Sequence, residues 1–381
     1  MVPARHNERM IRLSLCTLVI GLAAAAPATA APQLVITGGG FGHGVGMSQW
    51  GAQGQALQGR GYRAIVGSYF PGTKVARARV ASTLRVRLTA APSASFSGAT
   101  KAGTATLDPR VTYRARLHGA RVELSGGGRR LTIPSGATIR GRGPLAVAGL
   151  GRYRGALELS AARDANDVEG DLQVVNRVGL EDYLRGVVTE EAWGSWKPAA
   201  LAAQAVVSRT YAVAVVKAGT VGYDQFADTR SQKYSGVAGE TTSGDRAVRA
   251  TRGEVVTYRG RAVPVFFHSS SGGRTDSAAE GFGMTPQPWL VSVADPADAT
   301  PANREHRWSR RLPLATAERL LRRAGWLRGS LEAIEPRARK SSGRIVTATV
   351  DGSGGEVVVT GDDLAALFGQ RSSLARYAIR R

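Results

Sequence analysis

"LQVVNRVGLEDYLRGVVTEEAWGSWKPAALAAQAVVSRTYAVA" (residues 172–214) is the stretch on which the fold turns. Leu180, Tyr183, Leu184 and Val187 recur at helical spacing. Pro198 suits the first turn of a longer, alanine-rich helix, and Gly219 lies past its end. Small side chains on such a helix allow close packing against a neighbour. Together these signals predict helices across residues 179–218.

Upstream the pattern changes. From about Val75 to Val175, "TLRVRLT", "RVTYRARL", "ARVELS", "RRLTIP" and "ALELSA" alternate apolar and polar residues between Gly, Pro and Asp turns. These read as short antiparallel strands. Downstream, "GEVVTYRGRAVPVFFHSSSGG" reads as a hairpin ending in a Ser/Gly loop. A charged helix ("LATAERLLRRAGWL"), two strands ("RIVTATVDG", "GEVVVTG") and a helix ("DDLAALFG") follow. The fold class is α+β: an antiparallel β-rich region plus an Ala-rich helical segment forming a substrate cleft. The expected organisation is a signal peptide over 1–30, a Gly-rich segment packed on the core over 31–75, and a β-rich region over 76–165. A core region over 166–300 and a C-terminal α+β segment over 301–381 complete it.

The chain has 381 residues, 43% of them hydrophobic, enough for a sizeable core. Arg5, Arg9 and Arg12 precede a short apolar run and an Ala-x-Ala site, with cleavage expected after Ala30. The expected localisation is therefore secreted or cell wall, with membrane contact only if the signal stays uncleaved. Cys16 is the sole cysteine and leaves with the signal, so the mature chain has no disulfide and no thiolate ligand. Net charge is +22. Removing 1–30 takes away three Arg and one Glu and leaves about +20. That charge is either solvated surface or attraction to a polyanion. For an exported chain the polyanion is cell-wall polymer rather than nucleic acid, and no basic motif interleaved with aromatics appears.

The mature chain opens on "GGGFGHGVGMSQWGAQG" (38–54), eight glycines in seventeen residues. A phosphate-binding loop needs Gly-Lys-Ser/Thr, which is missing. A dinucleotide site needs an acid about twenty residues on, and no Asp or Glu lies between Arg12 and Asp108. The glycines are left two roles: close backbone approach to a ligand other than a nucleotide, or a tight turn beside a cleft.

Residues 172–214 resemble the signature of the SpoIID/LytB family of cell-wall proteins. So do "DTRSQKYSGV" (228–237), "AVRATRGEVVTYRGRAVPVFFHSSSGG" (247–273), "PWLVSV" (288–293) and "GFGHGVGMSQWGAQG". The family includes the glycan-cleaving stage II sporulation protein D enzymes and an amidase-enhancing relative. In those enzymes the FGHGVGMSQ-like motif follows a segment like "SGRIVTATVDGSGGEVVVTGDDLAALFGQRSS". Here that segment ends the chain and the motif begins it, as in a circular permutation. Such a permutation requires neighbouring termini. Residues 31–37 are therefore expected beside 376–381, with Leu34–Ile36 near the last strand.

The resemblance implies peptidoglycan glycan strands as substrate and a lytic transglycosylase-type reaction, with no cofactor and no metal. The alternative is a non-catalytic, peptidoglycan-binding amidase enhancer, whose partner would be a cell-wall amidase. Glycosidic cleavage needs a carboxyl held protonated, usually by burial. "VVTEEAWGSW" offers Glu190 and Glu191, about 100° apart on a helix, with Trp193 and Trp196 as a candidate apolar wall. Glu191 matches the family acid. The family's Met-Pro after it is Ala192-Trp193 here. A hydrolase would need a second acid, for which Asp228 and Asp276 are candidates. The resemblance further implies substrate-binding roles for Gln204, Arg209, Gln232, Tyr234, His268, Ser270, His43 and Gln49. Gln204 and Arg209 are alternatively supports for Glu191. For each of these residues a purely structural role stays open.

Overall fold

The computed structural model describes residues 31–165, 167–215 and 221–381. The expected signal peptide and the helix-ending Gly219 lie outside the described residues. The chain is α+β, as its patterning predicts. Among the described residues no helix is long and apolar enough to cross a membrane.

The stretch 172–214 lies at the centre. Strand Leu172–Gly179 pairs antiparallel with Ala156–Ala161 on one side and Thr83–Ala91 on the other. It belongs to an 11-stranded sheet that also holds the strands Ala94–Ala102, Tyr113–His118, Arg121–Gly126 and Arg129–Pro134. This sheet draws strands from both of the expected regions, 76–165 and 166–300. One apolar cluster does the same, with Leu157 and Leu159 packing beside Leu172 and Val174. Adjacent pairing saturates the backbone donors of both segments at once.

Two short helices form beneath the Gly-rich stretch, α1 (Gln49–Leu57) and α2 (Tyr62–Tyr69). The Ser48 hydroxyl caps α1 by accepting from Gly51 N–H at 3.0 Å. Three helices then follow strand Leu172–Gly179: α3 (Leu180–Arg185), the single turn α4 (Val188–Glu191) and α5 (Pro198–Ala214). Pro198 opens α5 as its composition predicts. This helix is buried over most of its length because it separates two cores. Leu201, Ala205 and Ala212 join the large-sheet cluster. Ala200, Ala203, Val206 and Val207 join a second cluster with Ile65, Val66, Phe70 and Val265. The alanines let both layers approach.

A third core holds the C-terminal segment together. Leu34 and Ile36 pack there with Leu321, Ile345, Val350 and Phe368. Strand Gln33–Gly38 sits between Trp308–Pro313 and Ala375–Arg380, antiparallel to both. Gln33 pairs with Arg380, and Leu34 with Ile379. The first and last described strands are thus neighbours, as a permuted chain requires.

Candidate active site

From Gly44 to Trp50 the Gly-rich stretch is a buried thread. Phe41 bridges Ser270 and Val45 bridges Asp276, so the stretch runs against the Ser/Gly loop. Met47–Ser48 then pairs parallel with Phe267–His268. Gly44 has φ +84°, and a β-carbon there would stand 2.7 Å from the Arg344 guanidinium. At Gly46, φ +77°, it would stand 2.1 Å from the Phe266 carbonyl. Both positions need left-handed backbone and close approach at once, which glycine alone supplies without strain. Of the two roles open to the glycines, this is the tight turn beside a cleft.

That cleft has a volume of about 460 Å³ and holds Glu191 and His43 together. Tyr211 of α5, Phe266, Phe267, Phe282 and Met284 give it apolar walls, and Thr229, Arg230 and Ser231 a polar rim. Its size suits one or two small rings, and its composition is that of a ligand site. Glu191 is the one carboxylate among the described lining residues.

Glu191 is placed from three sides. Its chain position is the last residue of α4, where the backbone leaves the helix at an extended Ala192. Lys233 N–H donates to Oε1 at 2.6 Å. Gln49 Nε2 donates to the Glu191 main-chain carbonyl at 2.9 Å. Gln49 also reaches Gln204 Oε1 at 3.4 Å, and Gln204 Nε2 donates to Ser208 Oγ at 2.9 Å. A line of amides thus ties α4 to α1 and α5. Burial raises the Glu191 pKa above the usual carboxylate value, against the lowering effect of the Lys233 N–H and charge. Glu190 is half-buried beside Gly239 and does not line the cleft.

His43 opens onto the cleft, with its ring 4.9 Å from Phe282 and 5.5 Å from His268. Its Nδ1 accepts from Val45 N–H at 3.1 Å, which leaves the ring proton on Nε2. The protein packed around its other faces lowers its pKa to about 4. A backbone hydrogen bond at Phe267 opposes this, while Arg344 and Lys340 add to it. The imidazole is therefore neutral at neutral pH.

The remaining expected contacts lie elsewhere, each for a physical reason. Arg209 is 0% exposed, and its guanidinium grips Glu181 at 2.8 and 3.0 Å and the Glu254 carbonyl at 3.1 Å. It faces away from the cleft, pinning α5 to α3. Gln232 is fully buried on Tyr183 Oη and the Ser208 carbonyl. Tyr234 is buried against Tyr183 and Tyr153 and donates to Asn176 Oδ1 at 2.8 Å. Ser270 donates to the buried Asp298 carboxylate at 2.9 Å. His268 is buried behind His43, its Nδ1 3.1 Å from the Val45 carbonyl. Gln204 does not line the cleft and instead backs Gln49. None of these six side chains lines the wall of the cleft.

The tryptophans are corrected too. Trp193 is 64% exposed and packs with Trp196 on Trp50, outside the cleft. The apolar wall comes instead from Phe266, Phe267, Phe282 and Met284, which motif reading passed over. The "VFF" run at the end of the predicted hairpin was a signal for the first two. Asp228 pairs with Arg230 at 2.7 Å on the surface, and Asp276 is buried 3.6 Å from Arg344. Neither carboxylate lines the cleft.

Comparison with known proteins matches the central segment of the chain. Residues 168–258 match the family model described as SpoIID, stage II sporulation protein. An uncharacterized protein of Brachyspira hyodysenteriae is 38% identical over 122 residues, 32% of this chain and 33% of that protein. The amidase enhancer of Bacillus subtilis is 34% identical over 115 residues, 30% of this chain and 15% of the relative. Stage II sporulation protein D of Bacillus subtilis is 31% identical over 142 residues, 33% of this chain and 41% of the relative. The chain spans less than half the length of each of these relatives. The matched segment contains strand Leu172–Gly179, α3, α4 and α5 with Glu191, and it is through this segment that the chain is similar to the SpoIID family.

Proposed function

We propose that this protein is an exported cell-wall enzyme that cleaves peptidoglycan glycan strands by a lytic transglycosylase-type reaction, with Glu191 as acid and then base. The observation that carries the reading is a single carboxylate, its pKa raised by burial, in an aromatic-walled cleft. Protonated Glu191 gives its proton to the glycosidic oxygen as the bond from the muramic acid anomeric carbon breaks. The oxocarbenium-like centre that forms is attacked by the C6 hydroxyl of the same sugar. That hydroxyl's proton passes to the Glu191 carboxylate, which restores the acid. The products are a 1,6-anhydro sugar and a shortened strand, and no water is consumed.

One acid suffices for this sequence, whereas hydrolysis by two carboxylates needs a second one across the scissile bond. The aromatic walls suit the apolar faces of sugar rings, and Thr229, Ser231 and Tyr211 offer hydroxyl groups. The printed name of the Bacillus relative supports a second reading, a wall-binding enhancer of an amidase. It needs the cleft but not the acid.

The test is to incubate protein lacking residues 1–30 with glycan strands, with and without stem peptides, and identify products by mass spectrometry. Anhydro-ended fragments are expected, and Glu191→Gln should abolish them. Reducing ends would replace the reaction class with hydrolysis. Retained wall binding without products would favour the enhancer.

A further inference from the structure

A second concavity, of about 500 Å³, lies on the seam between the first and last strands. Its lining includes Gly38, Gly39 and Gly343 together with Arg307, Arg339 and Arg376. No Asp or Glu lines it among the described residues. The three arginines have no carboxylate partner among the described ion pairs. Arg307 Nη1 bonds only main-chain carbonyls, of Gly272 at 2.9 Å and His306 at 2.6 Å. Arg339 likewise bonds the carbonyls of Gly343 at 2.5 Å and Ala375 at 3.1 Å. Burial and then the neighbouring Arg376 charge lower the Arg339 pKa, so the site holds uncompensated positive charge.

The groove also has a direction. It is lined by Thr37, Gly38 and Gly39, and His43 of the same thread lines the Glu191 cleft. His43 also lines a smaller hollow, with Gly42, Lys340, Arg344, Arg371 and the carboxylate of Asp362. Gly39 and His43 are four positions apart in the chain, at most about 14 Å when extended. A polymer seated at Glu191 and running along this thread passes from aromatic walls to arginine forks.

We propose that this arginine groove is a remote subsite that binds carboxylates of the glycan strand being processed. The ligand identity rests on the cleavage reading above; the groove does not. Arginine forks pair with planar carboxylates through two parallel hydrogen bonds. The carboxylate comes from the lactyl ether where a sugar carries no stem peptide, and from the stem peptide where it does, because the peptide is joined through the lactyl carboxyl as an amide. Binding here anchors the strand while its scissile bond lies at Glu191.

The test measures binding of long glycan strands in a Glu191→Gln background, with strands either peptide-free or peptide-bearing. Arg307→Gln, Arg339→Gln and Arg376→Gln combined should weaken binding at least about tenfold. A control with Arg116, Arg129 and Arg140 changed to Gln removes the same charge from exposed positions of the large sheet and should bind as the parent does. Weakening of peptide-free strands alone assigns the lactyl carboxylate, of peptide-bearing strands alone the stem-peptide carboxylates, and of both a groove that accepts either. Equal weakening by the control overturns the proposal in favour of diffuse charge. So does loss of poly(glycerol phosphate) binding with strand binding intact. A circular dichroism melt of the triple variant establishes that it folds, and Arg376→Gln alone, at an exposed strand position, tests the groove if it does not. Because the readout is binding, failure here leaves the cleavage assay untouched, and failure of that assay leaves the groove testable.

Discussion

Gln49 Nε2 donates to the main-chain carbonyl of Glu191 at 2.9 Å, across 142 residues of sequence. The Gly-rich stretch therefore reaches the proposed acid through its backbone, by way of the first residue of α1. Gln49→Ala removes this bond and the link to Gln204. We expect kcat to fall on the order of tenfold, since a small misplacement of a catalytic group is costly. KM should hold, because Gln49 does not line the cleft. Stability should fall by about 1 kcal/mol. Steady-state kinetics with a thermal melt checks both, and a rise in KM alone would instead make Gln49 a substrate contact.

The pH profile follows from the direction of the Glu191 shift. As general acid the residue must be protonated, so cutting falls as pH rises through its raised pKa. The Lys233 charge pulls that pKa down. Lys233→Met keeps the Lys233 N–H and removes the charge. The alkaline limb of kcat/KM should move to higher pH, by a small amount because the side chain is exposed and screened. A shift to lower pH would mean that Glu191 does not set this limb.

Much of this arrangement was legible in the sequence, and what escaped shares one cause. The alternation in "TLRVRLT" and "ALELSA" marks strands Thr83–Ala91 and Ala156–Ala161, because a half-buried strand must repeat every two residues. Nothing in either segment shows that Leu172–Gly179 lies between them. The same limit separates Glu191 from Arg209. Both are charged residues in a family-like motif, and only the fold shows that one faces a cleft while the other grips Glu181. Ser270 read as a cleft residue because its partner, Asp298, lies 28 residues away. Phe282 closes a five-residue helix, Ala278–Phe282, and Met284 lies just past it, a stretch too short for periodicity to announce them.

Arg209 gives a stability prediction that separates a structural role from a sugar contact. Arg209→Ala leaves buried carbonyls and Glu181 without their donor and should cost about 3 kcal/mol. Arg209→Lys keeps the charge but loses the planar fork and should still lower the melting temperature. KM of the folded Lys variant should match the parent. An elevated KM with an unchanged melt would restore Arg209 as a substrate contact.

Asp295 makes part of the stability pH-dependent. Burial lifts its pKa to about 6, while hydrogen bonds from Tyr69 and Ser271 pull it down and Asp298 adds to the rise. A carboxyl with a raised folded pKa binds its proton more tightly when folded. Its contribution is therefore complete below the usual Asp range near 4 and is lost as pH rises through about 6. Asp295→Asn should flatten the change in urea midpoint between pH 4 and 7, by at most about 3 kcal/mol. Glu191 and Asp276 shift the same way, and His43 the opposite way. The comparison is therefore between variant and parent, and identical slopes would remove Asp295 from the account.

The seam of the two terminal strands carries the last prediction. Strand Gln33–Gly38 runs antiparallel to Ala375–Arg380, with Gln33 opposite Arg380. Joining Arg381 to Ala31 through a short Gly/Asn linker would make a β-hairpin of two strands already in register. New ends can then be opened at residue 79, where residues 78–81 carry no helix or strand. The resulting chain, 79–381 followed by 31–78, places the FGHGVGMSQ-like motif after the C-terminal strands, as in the sporulation enzymes it resembles. All three cores survive this operation, because neither cut nor joint crosses a strand of the large sheet. The permuted protein should melt within a few degrees of the parent and show the same activity on glycan strands. Its strand Gln33–Gly38 should exchange amide hydrogens as slowly as before, since both flanking ladders remain. Fast exchange in that strand alone would mean that the present chain order, rather than the pairing, holds the seam closed.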